Sequence, residues 1–233
     1  KGKDLSDANL SYVDLSKHDL TGTNLIGVNL SHANLSSMSL KGKDLSGASL
    51  FKVDLSGHDL TGTILTKANL SNSNPIGVDL SGMDLSGANL SFVDLSGHDL
   101  TGINLSDTLL VRTNLSGIDL SPIPLTNADF RYANLSESKL TDSQLINNNF
   151  DYATLNNVNF MGKDLSFSSF NQVKLEGSDM QNTNLSEASF VQVDLTKIKN
   201  KSLAGADLSK ASFSHSNLSG ISLDGAILDD TNF

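Results

Sequence analysis

Neither cysteine nor tryptophan occurs in this chain of 233 residues, and there are only three prolines. The lack of cysteine excludes disulfides, thiolate nucleophiles and thiolate metal ligands, and leaves the redox compartment open. No run of 18 apolar residues is present, so no membrane-spanning helix is expected. No signal-peptide pattern opens the sequence. Basic residues are scarce, 16 against 26 acidic ones, giving a net charge of −10. That balance disfavours nucleic acid as a direct ligand and permits a basic partner. Histidine occurs five times, whereas Ser and Asp recur throughout. A Ser-His-Asp combination is therefore a chance match at this density. No phosphate-binding loop, zinc spacing or dinucleotide fingerprint is found. No catalytic, cofactor or metal residue is expected.

What the chain does have is a period of five. Every fifth residue from Leu5 to Leu195 is large and apolar, except Pro75: of 39 positions, 32 are Leu, five are Phe and one is Met180. Five fits neither a helix at 3.6 nor a flat strand at 2. The chain must change direction once per pentapeptide so that this central residue always returns inside. The expected core ladder includes Leu5, Leu55, Leu95, Leu135, Phe170 and Leu195. Two residues before a centre there is usually a small or β-branched residue such as Ala8, Val13, Val28 or Ala33. Asp or Asn follows it, and Ser or Thr and often Gly follow the centre, which are turn residues.

Longer periods set the circuit. Two residues after a centre, Gly2, Gly22, Gly42, Gly62, Gly82 and Gly102 recur at every fourth pentapeptide, marking a corner that needs positive φ or has no room for Cβ. Two pentapeptides away the column reads Tyr12, His32, Lys52, Asn72, Phe92, Arg112, Tyr132, Tyr152, without glycine. Four pentapeptides per turn is the direct reading. A period of eight pentapeptides lies above it: segments 1–25 and 41–65 agree at 19 of 25 positions, and 41–65 and 81–105 at 18.

These in-phase centres, with motifs such as AlaAsnLeuSer at 8–11 and ValAspLeuSerGly at 53–57, resemble the pentapeptide-repeat family over nearly the whole chain. The resemblance implies an all-β fold, a right-handed parallel quadrilateral β-helix (solenoid) with four pentapeptides per coil and about 11–12 coils. Successive coils should stack ~4.8 Å apart through parallel ladder bonds, giving a rod of roughly 50–55 Å.

One solenoid over 1–233 is expected, with an uninterrupted frame over 1–195, a register break over 196–202 and shifted coils over 203–233. The break, which includes LysIleLysAsnLys at 197–201, reads as a bulge with Ile198 already in the new frame. Pro75 is expected to bend its turn outward or lose a bond, and SerProIlePro at 121–124 to form a strained corner. Neither end carries an obvious cap, which leaves room for end-to-end self-association.

Three features are candidate sites. The glycine-free corner, Tyr12, His32, Lys52, Phe92, Arg112, Tyr132 and Tyr152, flanked by Phe51 and Arg131, offers aromatic and basic residues of the kind that anchor protein interfaces. Asp19, Asp59, Asp79, Asp99 and Asp119 form an acidic ladder, with Ser39 between the first two. Such a ladder either imitates a phosphate backbone or accepts turn N–H groups. His18, His58 and His98 recur at every eighth pentapeptide, ~10 Å apart, which is too far for one metal ion. The function expected first is a non-catalytic scaffold presenting its sides or ends to protein partners. The resemblance implies two alternatives: a DNA mimic that binds a type II topoisomerase such as gyrase, and an accessory domain of a secreted effector.

Overall fold

The computed structural model describes residues 2–121, 123–140 and 145–233. It is a right-handed quadrilateral β-helix. Parallel bridges join a pentapeptide to the fourth one after it, as in Asp4↔Asn24, Asn9↔Asn29 and Asp14↔Asn34. Four pentapeptides therefore make one coil. The four faces are numbered here by their first centres: Leu5, Leu10, Leu15 and Leu20.

The local chemistry explains the square section. Most centre carbonyls accept the N–H three residues on, as from Ala8 to Leu5 (3.0 Å) and from Ala33 to Leu30 (2.9 Å). The third turn residue has positive φ at most corners, which glycine adopts without cost and other residues do not. The Asp or Asn before the centre accepts the N–H two residues later, as Asn9 does from Ser11 (3.1 Å). Each five-residue step is thus closed by its own polar groups, and the centre is left pointing at the axis.

The axis holds one continuous core. Leu55, Leu95, Leu135, Phe170 and Leu195 are buried as expected, while Leu5 is only half-buried against the first coil. On the second face the column changes from Leu to Phe at residue 130. Phe130, Phe150, Phe170, Phe190 and Phe213 then stack with ring centroids 4.8–5.1 Å apart. Each such pair adds about 0.5–1.5 kcal/mol beyond the area it buries.

Ladder bonds join successive coils as expected, and they are distributed unevenly over the four faces. The second face is bridged without interruption from Asn9 to Asn232. The fourth face carries no bridge between described residues until Asp119↔Lys139. The first and third faces alternate in the N-terminal half: Asp14↔Asn34, Asp54↔Asn74 and Asp94↔Asn114 are bridged, while 34/54 and 74/94 are not.

Pro75 does not turn outward. It is buried in the third-face column, at an interval where no bridge exists for its missing N–H to break. Of the segment 121–124, Pro122 lies outside the described residues, and Ile123 is buried.

At 196–202 one coil is longer by three positions. The bridges Asn184↔Asp207, Ser189↔Ser212 and Asp194↔Asn217 all reach across the insertion, and Ser202↔Ser222 returns to the ordinary four-pentapeptide spacing. The extra length is taken up by two short 3₁₀ turns, Leu195–Lys197 and Lys199–Lys201. Ile198 stays in the core, and Lys199 Nζ lies 3.0 Å from Asp179 Oδ2.

Because Phe170 is fully buried between two parallel rings, Phe170→Ala should cost about 3–5 kcal/mol in urea-induced unfolding. Leu5→Ala, at a half-buried position, should cost clearly less.

Candidate functional site

The corner between the second and third faces brings the predicted aromatic and basic residues into one line. Tyr12 and His32 stack at 4.5 Å, and Phe51 meets His32 edge-on at 5.3 Å. Lys52 Nζ sits 5.3 Å from the Phe51 ring. Farther along, the Arg112 guanidinium lies 5.7 Å from the Phe92 ring and 4.9 Å from that of Tyr132, which stacks on Tyr152 at 4.6 Å. Arg131 instead chelates Asp129, with Nη2 to Oδ2 at 2.7 Å. Phe51 is half-buried, whereas Tyr12, Phe92, Tyr132 and Tyr152 are exposed, Tyr12 to 75%.

Backbone geometry makes this line costly. Tyr12, His32, Lys52, Asn72, Phe92, Arg112, Tyr132, Tyr152, Gln172 and Gln192 all have φ between 53° and 63°. Bulky side chains rarely occupy that region, and holding one there costs on the order of 1–3 kcal/mol. Two other corners often relieve the same geometry with glycine, as at Gly22, Gly42 and Gly62 and at Gly57, Gly77 and Gly97.

The acidic ladder lies on the fourth face, and its carboxylates are exposed. Asp19, Asp59, Asp79, Asp99 and Asp119 each accept the backbone N–H two residues on, at 2.8–3.0 Å. The Thr21, Ser81 and Thr101 hydroxyls hold Asp19, Asp79 and Asp99 below the usual carboxylate range. Asp99 works against this at Asp79. Asp59 is shifted far below that range, first by the Thr61 hydroxyl and then by Lys41, whose Nζ lies 2.9 Å away. Asp119 is lowered chiefly by the Ser121 N–H, with Lys139 at 3.7 Å adding to it. The unbridged face opens clefts between coils. One of about 650 Å³ is lined by Lys17, His18, Asp19, Lys41, Lys43 and Asp44.

His18 is exposed, and His58 and His98 are half-buried. His58 Nε2 lies 3.0 Å from the Leu35 carbonyl oxygen and Nδ1 3.1 Å from that of Leu55. His98 repeats this with Pro75 (3.1 Å) and Leu95 (3.2 Å). No group of described residues has the arrangement of a metal site.

Gln172, the next residue of the same glycine-free column, donates to the Tyr152 hydroxyl at 3.4 Å, a contact that spacing does not reveal. Sequence reasoning missed one exposed aromatic. Phe167, exposed to 55% at positive φ, stands on another corner, and its place in a mixed Gly, Asp and Asn column gave little sign of it.

Two outcomes follow from this geometry. Carboxylates held below their ordinary pKa stabilise the fold above about pH 4 and lose that contribution as pH falls through the lowered values. The melting temperature should therefore be flat from about pH 7 to 5 and fall below about pH 4, read by circular dichroism. In Tyr152→Gly, relief of the backbone cost should offset the lost ring stack, leaving stability within about 1 kcal/mol of the parent in urea titrations.

No helix of the described residues is long and apolar enough to cross a membrane. Among curated proteins, none matches the sequence. The chain is similar in structure to a trypsin-treated variant of QnrB1, a plasmid-mediated fluoroquinolone resistance protein, at 17% identity and a TM-score of 0.56 over 88% of each chain. It also matches HetL, a pentapeptide repeat protein involved in heterocyst differentiation regulation from the cyanobacterium Nostoc sp. strain PCC 7120. That match has 28% identity over 99% of this chain and 87% of HetL, with a TM-score of 0.33. The family model for pentapeptide repeats matches residues 4–42, 29–66, 63–102, 88–121, 125–162, 164–199 and 202–233. With its bridges one coil apart and its centres in phase, the chain belongs to the pentapeptide-repeat family.

Proposed function

We propose that the protein is a non-catalytic scaffold whose corner between the second and third faces binds a protein partner. The observation that carries this reading is the positive-φ column without glycine. Folding alone would favour glycine there, as at Gly22 or Gly57, yet the column holds exposed planar and cationic side chains in register. Tyr, Phe and Arg pre-stacked on a rigid frame lose little conformational entropy on binding, the property of interface anchors. The cations Lys52 and Arg112 lie in an otherwise acidic rod, so the partner presents acidic or polar groups around an apolar centre.

The DNA-mimic reading rests on the acidic ladder and has less support. The column is interrupted by Ser39 and Lys139, Lys41 and Lys139 pair with two of its carboxylates, and each of its Asp residues is occupied by its own turn. QnrB1 is described as a fluoroquinolone resistance protein, and at 17% identity it supports the fold alone.

The substitutions Phe92→Glu and Tyr132→Glu should each abolish capture of the partner by the immobilised protein, with circular dichroism and melting temperature retained. Capture of the same proteins by parent and both variants would remove this site. Inhibition of gyrase supercoiling by the purified protein would favour the mimic instead.

A further inference from the structure

The bridge pattern divides the N-terminal half of the rod into pairs of coils. Within 2–40, 41–80 and 81–120 the two coils are bridged on three faces: Asp4↔Asn24, Asn9↔Asn29 and Asp14↔Asn34 in the first pair, with equivalents in the others. Between pairs only the second face is bridged, by Asn29↔Ser49 and by Asn69↔Asn89. The first-face intervals 24/44 and 64/84 and the third-face intervals 34/54 and 74/94 carry none.

Side-chain chemistry follows the alternation at most of these intervals; Asp44↔Ile64, bridged without an amide, and the unbridged 64/84 interval, where Asp84 stands above Ile64, lie outside it. Where Asn stands above Asp, its amide donates across the coils: Asn24 to Asp4, Asn34 to Asp14, Asn74 to Asp54, Asn104 to Asp84 and Asn114 to Asp94, all at 3.0–3.1 Å. Where Asp stands above Asn, as Asp54 above Asn34, the amide of the Asn already donates to the Asp beneath it, here Asp14. The upper carboxylate has no proton to place between the two side chains, and the coils are not bridged. Asn134 above Asn114 restores the donor (3.3 Å), and the bridge returns. Asp179 above Asn159 is bridged and has Lys199 at 3.0 Å. Asp207 above Asn184, bridged with Ser209 as its side-chain partner, departs from this pattern in the C-terminal coils.

We propose that the rod is hinged at 40/41 and 80/81, with the second face as the spine, the fourth face as the opening side, and His58 and His98 as latches across the two gaps. The latch residues reach back over each gap to Leu35 and Pro75 from the third–fourth corner, where backbone bonds are lacking. Lys43, whose Nζ donates to the Leu20 carbonyl at 2.9 Å, adds a second tie at the first gap. The partner-binding corner borders the spine, so its stack is kept while the opposite side opens. The hinge stands whether or not that corner binds a partner.

The absence of cysteine makes the test direct. Spin labels at Thr21→Cys and Thr101→Cys span both gaps on the opening side, ~19 Å apart; Ile26→Cys and Asp107→Cys span them beside the spine. Pulsed electron resonance should give a broader distance distribution for the first pair than for the second. Adding Asp44→Asn, Asp54→Asn and Asp94→Asn, which stand above Asn24, Asn34 and Asn74, should narrow the first toward the second. In the unlabelled protein, amide exchange at Leu35 and Asp54 should be about tenfold or more faster than at Leu15 and Asn34, with Leu30 and Ser49 protected. His58→Leu should accelerate Leu35 and Asp54 several-fold without affecting Leu30. Equal distribution widths for the two label pairs, or the three Asn substitutions leaving the first unchanged, would overturn the hinge.

Discussion

The return of one large apolar side chain to the axis every five residues is the constraint from which this structure follows. A period of five is possible only if the backbone turns sharply at each step, and the turn in turn demands a positive φ and an acceptor for the following N–H groups. Asp and Asn before the centre, Ser or Thr after it, and glycine at the corner meet those demands locally. The pentapeptide is thus less a unit of recognition than the shortest segment that buries its apolar residues and satisfies its own polar groups.

Much of this is legible in the sequence because the period is so regular. The coil length, the buried centres and the three-residue insertion all follow from counting, and Ile198 lies in the core as its register requires. What counting does not show is which coils bond to which. In the N-terminal half that follows in large part the order of Asp and Asn along a face, a distinction that a hydrophobic pattern treats as equal. By spacing alone the fourth face is an acidic column on a continuous sheet, whereas it is unbridged through its first five intervals. Pro75 looks like a local defect for the same reason: its missing N–H matters only if a bond was there to lose. The corner residues fall in line as their spacing demands, but their ring contacts depend on rotamers that spacing does not reveal.

The two halves of the rod differ in how they are held. The C-terminal half has a stacked phenylalanine column on its second face, with cation-paired Asp179 beside its inserted turn. The N-terminal half has leucine in that column and repeats its bonding every second coil, a trace of the tandem similarity between 1–25, 41–65 and 81–105. Duplication of a two-coil segment copies its internal bonds faithfully, but the junction it creates has never been paired before. Asp then stands above Asn in three of the four first- and third-face intervals at the junctions, and above Ile64 in the fourth.

The positive-φ corner has a consequence for how such a surface can change. Its side chains project from positions whose backbone shape is fixed by the turn and whose neighbours along the rod recur once per coil. Exchanging one of them alters neither the buried column nor the hydrogen bonds that close the coil. The corner therefore behaves as an alphabet written along a ruler, in which the marks stay in place while the letters are free to vary, and selection for a new contact need not disturb the fold that displays it.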